Sequence, residues 1–453
     1  MHEFDLLVIG GGTVGQSVAV AARKEGWSVA VIERRLLGGT CPNDGCDAKK
    51  PFVIAASAVD RYRQLEGRGV TASLSLLDWP AAVRFSAEFT DPVPDDTRSS
   101  LEEQGIQVIL GEARFVGARR VRVGDQEIEA RKVVIATGSH PRPLEFEGAR
   151  HLRTSTQLMR MEAIPSRVAF IGGGYISFEF AHVLARHRRE VVIYHGDDRP
   201  LKGFEPELAD LLVEAAPEIG IRVEQNARAT RIVERGSEFE IRVEAGDGGP
   251  ARTETADLVI HGAGRVPAVE ALDLAAAGLE AAPLGIAVDR FGRCLGNPDV
   301  YAGGDAADAL QPKLLRAATH QARVISAHLL GQDGPDLESL QPVAVLFTSP
   351  PLAGIGMTEE QARASGLPIS VNKGPEAQAW KILRQMNQPL FAYKSIVHRE
   401  TDQILGAWVL GEEADAIVNL VALGLTHGIP AKELGRPLYG YPTVSGNVAS
   451  LFR

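Results

Sequence analysis

The strongest indication of the fold is the stretch FDLLVIGGGTVGQSVAVAARKEGWSVAVIE, residues 4–33. An apolar run typical of a buried strand breaks at glycines, a helical pattern of apolar residues follows, and a second apolar run ends at Glu33. The pattern predicts a β-turn-α-β unit with Gly10-x-Gly12-x-x-Gly15 at the turn. Gly10 allows the tight turn, Gly12 lets the backbone approach a pyrophosphate, and Gly15 lets the helix pack on the strand. Because Glu33 can accept a hydrogen bond from a ribose, the stretch indicates dinucleotide binding rather than a chance glycine turn.

A second copy of this pattern begins at Arg167, where RVAFIGGGYISFEFAHVLARHRREVVIY repeats the strand, turn, helix and strand. Its glycines are Gly172 and Gly174, and Ser177 stands at the third position, where a small side chain still permits close packing. Two such units in one chain predict two bound nucleotides. The alternative is a duplicated structural unit in which one site no longer binds.

Composition and charge limit the classes of function. The chain has 453 residues, which at about 150 residues per domain suggests roughly three domains. A net charge of −10 argues against nucleic acid or an anionic membrane as the main partner. The three cysteines are too few for a disulfide scaffold, and the apolar runs are too short to span a bilayer. With no leader pattern at the start, we expect a cytoplasmic protein, in which close-spaced cysteines serve catalysis or metal binding.

Two cysteines follow the first nucleotide unit. Cys41 and Cys46 lie five residues apart in GGTCPNDGCDAKK. Zinc sites usually contain a CxxC pair, which this sequence lacks, so we expect no metal. A Cx4C pair that opens a helix beside a nucleotide fold favours a redox-active disulfide over two coincidental buried cysteines. The helix N-terminus, Lys49 and Lys50 should lower a thiolate pKa, whereas Asp47 beside Cys46 should raise it.

Over essentially its whole length the chain resembles the class I FAD-dependent pyridine nucleotide–disulfide oxidoreductases, such as glutathione reductase, dihydrolipoamide dehydrogenase and mercuric reductase. The motifs that carry the resemblance are, in order, GGGTVG, GGTCPNDGC, ATGSHPRP, GGGYISFE, GAGRVP, YAGGD, FTSPPLAGIGMT, ILGAWVLG and YPTVS. It implies an α/β fold with two Rossmann-like dinucleotide-binding domains, for FAD and NAD(P), and a C-terminal α+β dimerisation domain. The implied domains are 1–143 and 269–338 for FAD, 144–268 for NAD(P), and 339–453 for the interface of a homodimer.

The resemblance also implies catalytic roles. Cys46 takes the position of the cysteine nearest the flavin, and Cys41 that of the thiol that attacks the substrate. Lys50, or its neighbour Lys49, takes the position of the lysine near flavin N5, and Glu179 that of its ion-pair partner.

Cofactor-binding roles follow in the same way. Asp305 resembles the aspartate that binds the ribityl chain of FAD, and Arg265 resembles a contact to the nicotinamide nucleotide, with a surface salt bridge as its alternative. The motifs imply further nucleotide-binding residues, namely Gly39, Thr40, Ala136, Thr137, Gly138, Tyr175, Ile176, Gly264 and Gly304.

The C-terminal segment departs from the family. Relatives usually carry a His-Pro-Thr motif and a glutamate five residues after the histidine, an acid/base pair that reaches across the dimer. Here Tyr441 and Gly446 stand at those positions. Tyrosine is a poor base near neutral pH but can donate a hydrogen bond or a proton, and the alternative is that Tyr441 only packs at the interface. The departure argues against efficient turnover of glutathione or dihydrolipoamide. The lack of a cysteine pair near the end argues against mercuric reductase.

The choice of nicotinamide nucleotide depends on the second copy. An NAD site favours an acid at about Tyr194, whereas an NADP site favours nearby basic residues. No acid ends this strand, and Arg199 and Lys202 follow within a few residues, as does His195. We therefore expect NADPH, with NADH as the alternative and solvated loop charges as the other interpretation of Arg199 and Lys202.

Three hypotheses follow. The first is an NAD(P)H-dependent flavoprotein disulfide reductase that passes electrons through FAD and Cys41–Cys46 to a small oxidised thiol or reactive electrophile, such as a hypohalous species. The second is a flavin-centred diaphorase, quinone reductase or transhydrogenase that bypasses the cysteines. The third is a redox-sensing flavoprotein in which the disulfide acts as a switch.

Overall fold

A computed structural model describes residues 2–71, 76–246, 248–374 and 380–452. The chain divides into two compact units. The first unit comprises Met1–Lys50, Arg84–Arg142 and Arg265–Pro342, and the second comprises Pro51–Val83, Pro143–Gly264 and Val343–Arg453.

The strands, in chain order, are β1 (His2–Ile9), β2 (Val29–Glu33), β3 (Gln107–Leu110), β4 (Ala113–Phe115), β5 (Arg120–Val123), β6 (Gln126–Ile135), β7 (Ser139–Pro141), β8 (Arg167–Ile171), β9 (Glu190–Tyr194), β10 (Ile221–Glu224), β11 (Ala227–Arg235), β12 (Glu238–Ala245), β13 (Arg252–Ala256), β14 (Leu258–His261), β15 (Arg265–Pro267), β16 (Ala281–Ala282), β17 (Gly285–Ala287), β18 (Val300–Ala302), β19 (Ala307–Asp308), β20 (Ala344–Leu346), β21 (Leu352–Gly356), β22 (Ile369–Lys373), β23 (Ala392–His398) and β24 (Ile404–Leu410).

The α-helices are α1 (Thr13–Lys24), α2 (Thr40–Asp44), α3 (Cys46–Leu65), α4 (Trp79–Thr90), α5 (Val93–Glu103), α6 (Ser155–Leu158), α7 (Tyr175–Arg186), α8 (Pro206–Ala215), α9 (Leu315–Leu329), α10 (Glu359–Ala364), α11 (Lys381–Gln385), α12 (Ala414–Thr426) and α13 (Ala431–Leu434). Short 3-10 helices include Gly304–Ala306 and Ser445–Phe452.

The main sheet of the first unit has the strand order β3-β2-β1-β6-β5-β4, and β18 also pairs with β6. Strands β1, β2, β3 and β18 pair in parallel with their neighbours, with Leu6 opposite Val29 and Ile9 opposite Ile135. Buried parallel strands require apolar residues on both faces, and β1 and β2 supply them as continuous runs. The carboxyl ends of β1 and β2 lead into the glycine turn and to Glu33, so the sheet positions the predicted nucleotide site.

The second unit repeats this arrangement. Strands β8, β9, β10 and β14 form a parallel sheet in the order β10-β9-β8-β14, and helix α7 follows β8 as α1 follows β1. An antiparallel sheet, β11-β12-β13, lies beside it in sequence. The repeat confirms the prediction of two Rossmann-like nucleotide folds in an α/β chain.

The C-terminal part of the second unit is an antiparallel sheet in the order β20-β21-β24-β23-β22, with α12 packed against β21 and β24. A buried ion cluster joins this part to α8. The ammonium of Lys394, only 3% exposed, lies 2.6 Å from a carboxylate oxygen of Glu205 and 2.8 Å from those of Glu207 and Glu359. A buried lysine is tolerated only when its charge is compensated in this way.

No helix in the described ranges is both long enough and apolar enough to cross a membrane.

Candidate active site

The first glycine turn is built as the sequence predicts. Gly10 has φ of +111°, and a Cβ there would lie 2.2 Å from the carbonyl oxygen of Ala136. A Cβ on Gly15 would lie 1.9 Å from the oxygen of Gly10. Gly12 caps α1 without a side-chain hydrogen bond, so the first N–H groups of the helix are available to an anion. The turn therefore fits a pyrophosphate.

Glu33 lies at the end of β2 beside this turn. One carboxylate oxygen accepts a hydrogen bond from the N–H of Gly11 at 2.8 Å, and the other accepts one from the N–H of Arg35 at 2.8 Å. Glu33 and Thr137 line a cleft with about 390 Å³ of empty space, part of it open to solvent. Among the described residues, Thr137 Oγ1 is a buried hydroxyl oxygen without a hydrogen-bond partner. A cleft lined by a carboxylate and by a residue with an orphaned buried hydroxyl fits the polar edge of a nucleotide.

A hydrogen-bonded chain links two predicted cofactor residues in the first unit. Ser139 donates from its hydroxyl to a carboxylate oxygen of Asp305 at 2.6 Å. Arg265 donates from Nε to the Ser139 hydroxyl at 2.9 Å and from Nη2 to the Ser139 carbonyl at 2.6 Å. The pairing of β7 with β15 holds both residues in register. Sequence reasoning missed Ser139, although it directly follows the ATG motif.

The second glycine turn matches the first. A Cβ on Gly172 would lie 2.4 Å from the carbonyl oxygen of Gly262. Ser177, at the third glycine position, is fully buried and donates its hydroxyl to the carbonyl oxygen of Gly172 at 2.6 Å. Gly174 caps α7 without a side-chain hydrogen bond. The serine therefore closes the turn instead of disrupting it, which is what the prediction required.

His195 occupies the position that Glu33 has in the first copy. The N–H of Gly173 donates to His195 Nδ1 at 3.1 Å, as the N–H of Gly11 donates to Glu33. The other ring nitrogen, Nε2, lies 2.9 Å from the carbonyl oxygen of Arg199. Nδ1 accepts and Nε2 donates only in the neutral Nε2–H tautomer. By this register the residue that matches Glu33 is His195, one residue after the buried Tyr194.

The two basic residues expected near a 2′-phosphate are paired with carboxylates. Lys202 Nζ lies 2.6 Å from Asp197 Oδ2. Arg199 Nη1 lies 3.2 Å from Glu360 Oε1, and its Nε lies 3.6 Å from Asp210. Both are surface pairs, which contribute little to stability and exchange partners readily.

The two cysteines lie in the first turns of consecutive helices. Cys41 is the second residue of α2 and Cys46 is the first residue of α3, separated by Gly45. The Cys41 thiol donates to Asp47 Oδ2 across 3.9 Å. The hydrogen bond to Cys46, burial, and the negative charges of Cys46 and Asp47 raise the pKa of Cys41. Of the two opposing influences expected from the sequence, the one that raises the thiol pKa prevails at Cys41, with Cys46 as the largest cause and Asp47 as a smaller one.

Gly39 brings the cysteine segment against the first nucleotide turn. A Cβ on Gly39, whose φ is +74°, would lie 2.7 Å from the Cα of Gly12. Thr40 is exposed at the start of α2. The cysteines therefore lie one short helix away from the predicted pyrophosphate position.

The predicted lysines and their acidic partner lie in different units. Lys49 and Lys50 are half-buried in the first two turns of α3. Glu179, on α7 of the second unit, is 2% exposed and accepts a hydrogen bond from the N–H of Phe347 at 3.0 Å.

One face of α7 carries two polar residues that the sequence analysis did not single out. His182 Nδ1 accepts from the N–H of Ser349 at 3.2 Å. Arg186, 2% exposed, donates to Asp60 Oδ1 at 2.8 Å and to the Ser349 carbonyl at 3.0 Å. Burial and the neighbouring arginine hold the pKa of His182 well below its usual value. The spacing of Glu179, His182 and Arg186 along one helix face is the signal that could have found them.

Tyr441 lies in the second unit with 82% of its surface exposed. Gly446 is the second residue of the last 3-10 helix, where its N–H donates to Thr443 Oγ1 at 3.0 Å.

The remaining predicted residues lie at the expected turns. Ala136 and Gly138 follow β6, Tyr175 and Ile176 begin α7, Gly264 precedes β15, and Gly304 begins a 3-10 helix, where its N–H donates to Gln321. Cys294 is 2% exposed, and burial raises the pKa of its thiol to about 12. Within the described ranges, no group of three or more His, Cys, Asp or Glu side chains is arranged to hold a metal ion.

Known proteins are similar to this chain over almost its whole length. The family described as pyridine nucleotide-disulphide oxidoreductase matches residues 4–322, and its dimerisation domain matches residues 342–451. Dihydrolipoyl dehydrogenase of Bacillus subtilis (strain 168) is 30% identical over 98% of this chain and 94% of its own length. Mercuric reductase of Lysinibacillus sphaericus is 29% identical over 98% of this chain and 81% of its own.

Solved structures are similar to this chain over almost its whole length. The HOCl-induced flavoprotein disulfide reductase RclA from Escherichia coli superposes with a TM-score of 0.85 and 27% identity, covering 99% of both chains. Its Cu(II) complex superposes with a TM-score of 0.87 at the same identity, covering 100% of this chain and 99% of that chain. The chain belongs to the pyridine nucleotide-disulphide oxidoreductase family and is a flavoprotein disulfide reductase that uses FAD and NAD(P)H.

Proposed function

We propose that this enzyme carries two electrons from NADPH through FAD to the Cys41–Cys46 pair and on to a small oxidised thiol or reactive electrophile. The supporting observation is the pair itself, two thiols within hydrogen-bonding reach on consecutive helices, held against the first nucleotide turn by Gly39. FAD, when bound, supplies a two-electron carrier between nicotinamide and dithiol. Gly10, Gly12, Glu33, Thr137 and Asp305 would hold it, and the turn and cleft described above fit it.

We also propose how the chain divides into domains. Residues 1–143 and 269–338 would bind FAD, residues 144–268 would bind the nicotinamide nucleotide, and residues 339–453 would form the interface.

The cysteines would act in sequence. The Cys41 thiolate attacks the substrate disulfide, forms a mixed disulfide and releases one thiolate. Cys46 then attacks the Cys41 sulfur, which releases the second thiol and re-forms the Cys41–Cys46 disulfide. The partner subunit's Tyr441 would donate a proton to the departing thiolate, since a phenol can act as an acid where it cannot act as a base. Lys50, with Lys49 as the alternative, would tune the flavin through its positive charge.

His195 supports NADPH as the donor. A carboxylate at this position would accept from a ribose 2′-hydroxyl and repel a 2′-phosphate. The neutral imidazole of His195 does neither. Arg199 and Lys202 could exchange their surface carboxylate partners for a phosphate, because surface pairs are weak. Arg265 and its neighbour Gly264 would contact the nicotinamide nucleotide.

A homodimer would complete the site. The match to the dimerisation domain supports it, as does the exposure of two large side chains in this region, Leu438, which is fully exposed, and Tyr441. The partners would thus be a second copy and a small-molecule substrate, in the cytoplasm.

Reactive oxidants are the second candidate substrate. Tyr441 and Gly446 replace the family's acid/base pair, and an oxidant with a good leaving group needs little help from such a pair. The structurally similar RclA is described as HOCl-induced. If this candidate is correct, hypochlorite must accelerate NAD(P)H consumption above the oxygen-only rate, and Cys41→Ser must remove the acceleration.

Anaerobic titration of the holoenzyme with NADPH, and then with NADH, tests the main proposal. We expect long-wavelength absorbance at two electrons per FAD, which Cys46→Ser removes and the matched control Cys294→Ala retains. Direct bleaching of FAD without that band would favour the flavin-centred diaphorase. Slow turnover with every acceptor, together with a change of shape on reduction, would favour the redox sensor.

A further inference from the structure

A cleft opens beside Cys41 in the first unit. It has a volume of about 310 Å³, large enough for a small organic molecule. Its polar lining comes from Thr13, Gln16 and Ser17 on one face of α1, from Thr97 on α5, and from Asp47. The Cys41 thiol lies in the same wall, so a molecule in this cleft meets the nucleophile of the proposed function.

The cleft carries a negative charge. Among the described residues that line it, Asp47 is the only ionisable group besides the thiol, and none is Lys, Arg or His. Asp47 is exposed, so the lining presents one acidic side chain and no basic one to a molecule in the cleft. Four basic residues close in sequence to the lining do not themselves line the cleft, namely Lys49, Lys50, Arg98 and Arg316.

Asp47 is directed at the reacting sulfur by the local fold. The break at Gly45 starts α3 afresh at Cys46, so Asp47 lies in the first turn of that helix, where the helix dipole favours a negative charge. From there its carboxylate reaches to 3.9 Å from the Cys41 sulfur. Any group that a substrate places next to its disulfide therefore comes close to this carboxylate.

We propose that this cleft selects small disulfides that carry a cationic group next to the sulfur atoms and disfavours anionic ones; the inference rests on the proposed function of Cys41. A cation beside Asp47 gains an ion pair. It also offsets the repulsion that Asp47 exerts on the Cys41 thiolate, and so favours the form that attacks. An anion is repelled by Asp47, and it adds to the repulsion on the Cys41 thiolate.

The reaction consumes the two electrons of the reduced pair. The Cys41 thiolate forms a bond to one substrate sulfur as the S–S bond breaks, and the first thiolate leaves and takes up a proton. Cys46 displaces the second thiolate from Cys41, which also takes up a proton. The products are two thiols and the Cys41–Cys46 disulfide, which NAD(P)H reduces again through FAD.

Three disulfides of similar length and different charge test the proposal: cystamine, 2-hydroxyethyl disulfide and 3,3′-dithiodipropionate. For the holoenzyme at low salt, we expect kcat/KM to fall in that order, with about a tenfold spread between the first and the last, from exposed ion-pair strengths. The spread should shrink at about 0.3 M salt, because the Debye length falls below about 8 Å.

Two variants test whether Asp47 causes this preference for cationic disulfides. Asp47→Asn should reduce the cystamine to dithiodipropionate ratio by about three- to tenfold. Asp125→Asn, which removes the same charge from the exposed turn between β5 and β6 in the same unit, should keep the wild-type ratio.

Labelling of the Cys41 thiol, which requires no turnover, tests the same preference for cations. In the reduced holoenzyme, Cys41 should react faster with the cationic trimethylammonium-ethyl methanethiosulfonate than with its sulfonate analogue, and Asp47→Asn should reduce that difference. Equal ratios in wild type and Asp47→Asn, with turnover that Cys41→Ser abolishes, overturn this inference and leave the proposed function intact. Turnover of all three disulfides that survives Cys41→Ser overturns both.

Discussion

Replacing His195 by glutamate should change the nucleotide preference toward NADH. In the first copy, the N–H of Gly11 donates to Glu33, and in the second the N–H of Gly173 donates to His195 at the same position. A glutamate at 195 would therefore find the same backbone donor and present its carboxylate to the ribose.

Two interactions set the size of this change in nucleotide preference, a hydrogen bond to the ribose of NADH and a charge repulsion from the 2′-phosphate of NADPH. A hydrogen bond from a ribose hydroxyl to a carboxylate contributes about 1.5–3 kcal/mol, which raises kcat/KM for NADH by roughly 10- to 150-fold. A 2′-phosphate charge about 5 Å from the carboxylate is repelled by about 3 kcal/mol at an effective dielectric constant of about 20, and solvent screening reduces this for the half-buried His195. Together the NADPH to NADH ratio of kcat/KM should fall by at least about a hundredfold.

The assay compares kcat/KM for both nucleotides, with dissociation constants from titration of the oxidised holoenzyme. The matched control is His195→Gln, which also loses the imidazole contact to the Arg199 carbonyl but adds no charge. If both variants change the ratio equally, or neither changes it, His195 does not stand at the ribose and the argument from the internal repeat is wrong.

Three further outcomes are expected. Lys394→Met leaves buried carboxylates uncompensated and should lower the free energy of unfolding by about 3–5 kcal/mol in denaturant titrations, whereas the exposed Lys373→Met should cost under about 1 kcal/mol. Gly10→Ala should yield protein with little bound FAD by its absorbance at 450 nm, because a Cβ has no room there, whereas Gly26→Ala, with nothing within 4 Å, should keep its FAD. Because the pKa of Cys41 is raised, its thiolate fraction grows with pH, so turnover of 2-hydroxyethyl disulfide should rise about tenfold per unit between pH 7 and 9; a plateau below pH 8 would contradict this.

Local sequence patterns predicted the nucleotide folds correctly because their physics is local. Gly10 and Gly172 adopt positive φ, and the backbone of a neighbouring segment fills the space of a side chain. Neither requirement can be met by another residue, so the glycines are visible without a structure. The same holds for Ser177, whose hydroxyl bonds within its own turn.

The electrostatic environment was harder to predict. From the sequence, Asp47 is a neighbour of Cys46, and lysines and a helix start oppose it. The structure directs Asp47 at Cys41 instead, where its charge adds to the hydrogen bond to Cys46 and to burial in raising the pKa of that thiol. Adjacency in the chain gives no direction in space, because side chains one residue apart on a helix point to different sides.

The family, the two nucleotide turns and the cysteine pair can be recognised from the amino-acid sequence, since each depends on residue types at short, fixed spacings. The folded chain was needed to show that Ser139 links Arg265 to Asp305, that His195 rather than Tyr194 matches Glu33, and that the wall beside Cys41 is acidic. These are contacts between segments distant in the chain or offset by one residue. Hydrogen bonds and Coulomb forces act over a few ångströms, so their partners are fixed only when the fold brings those segments together.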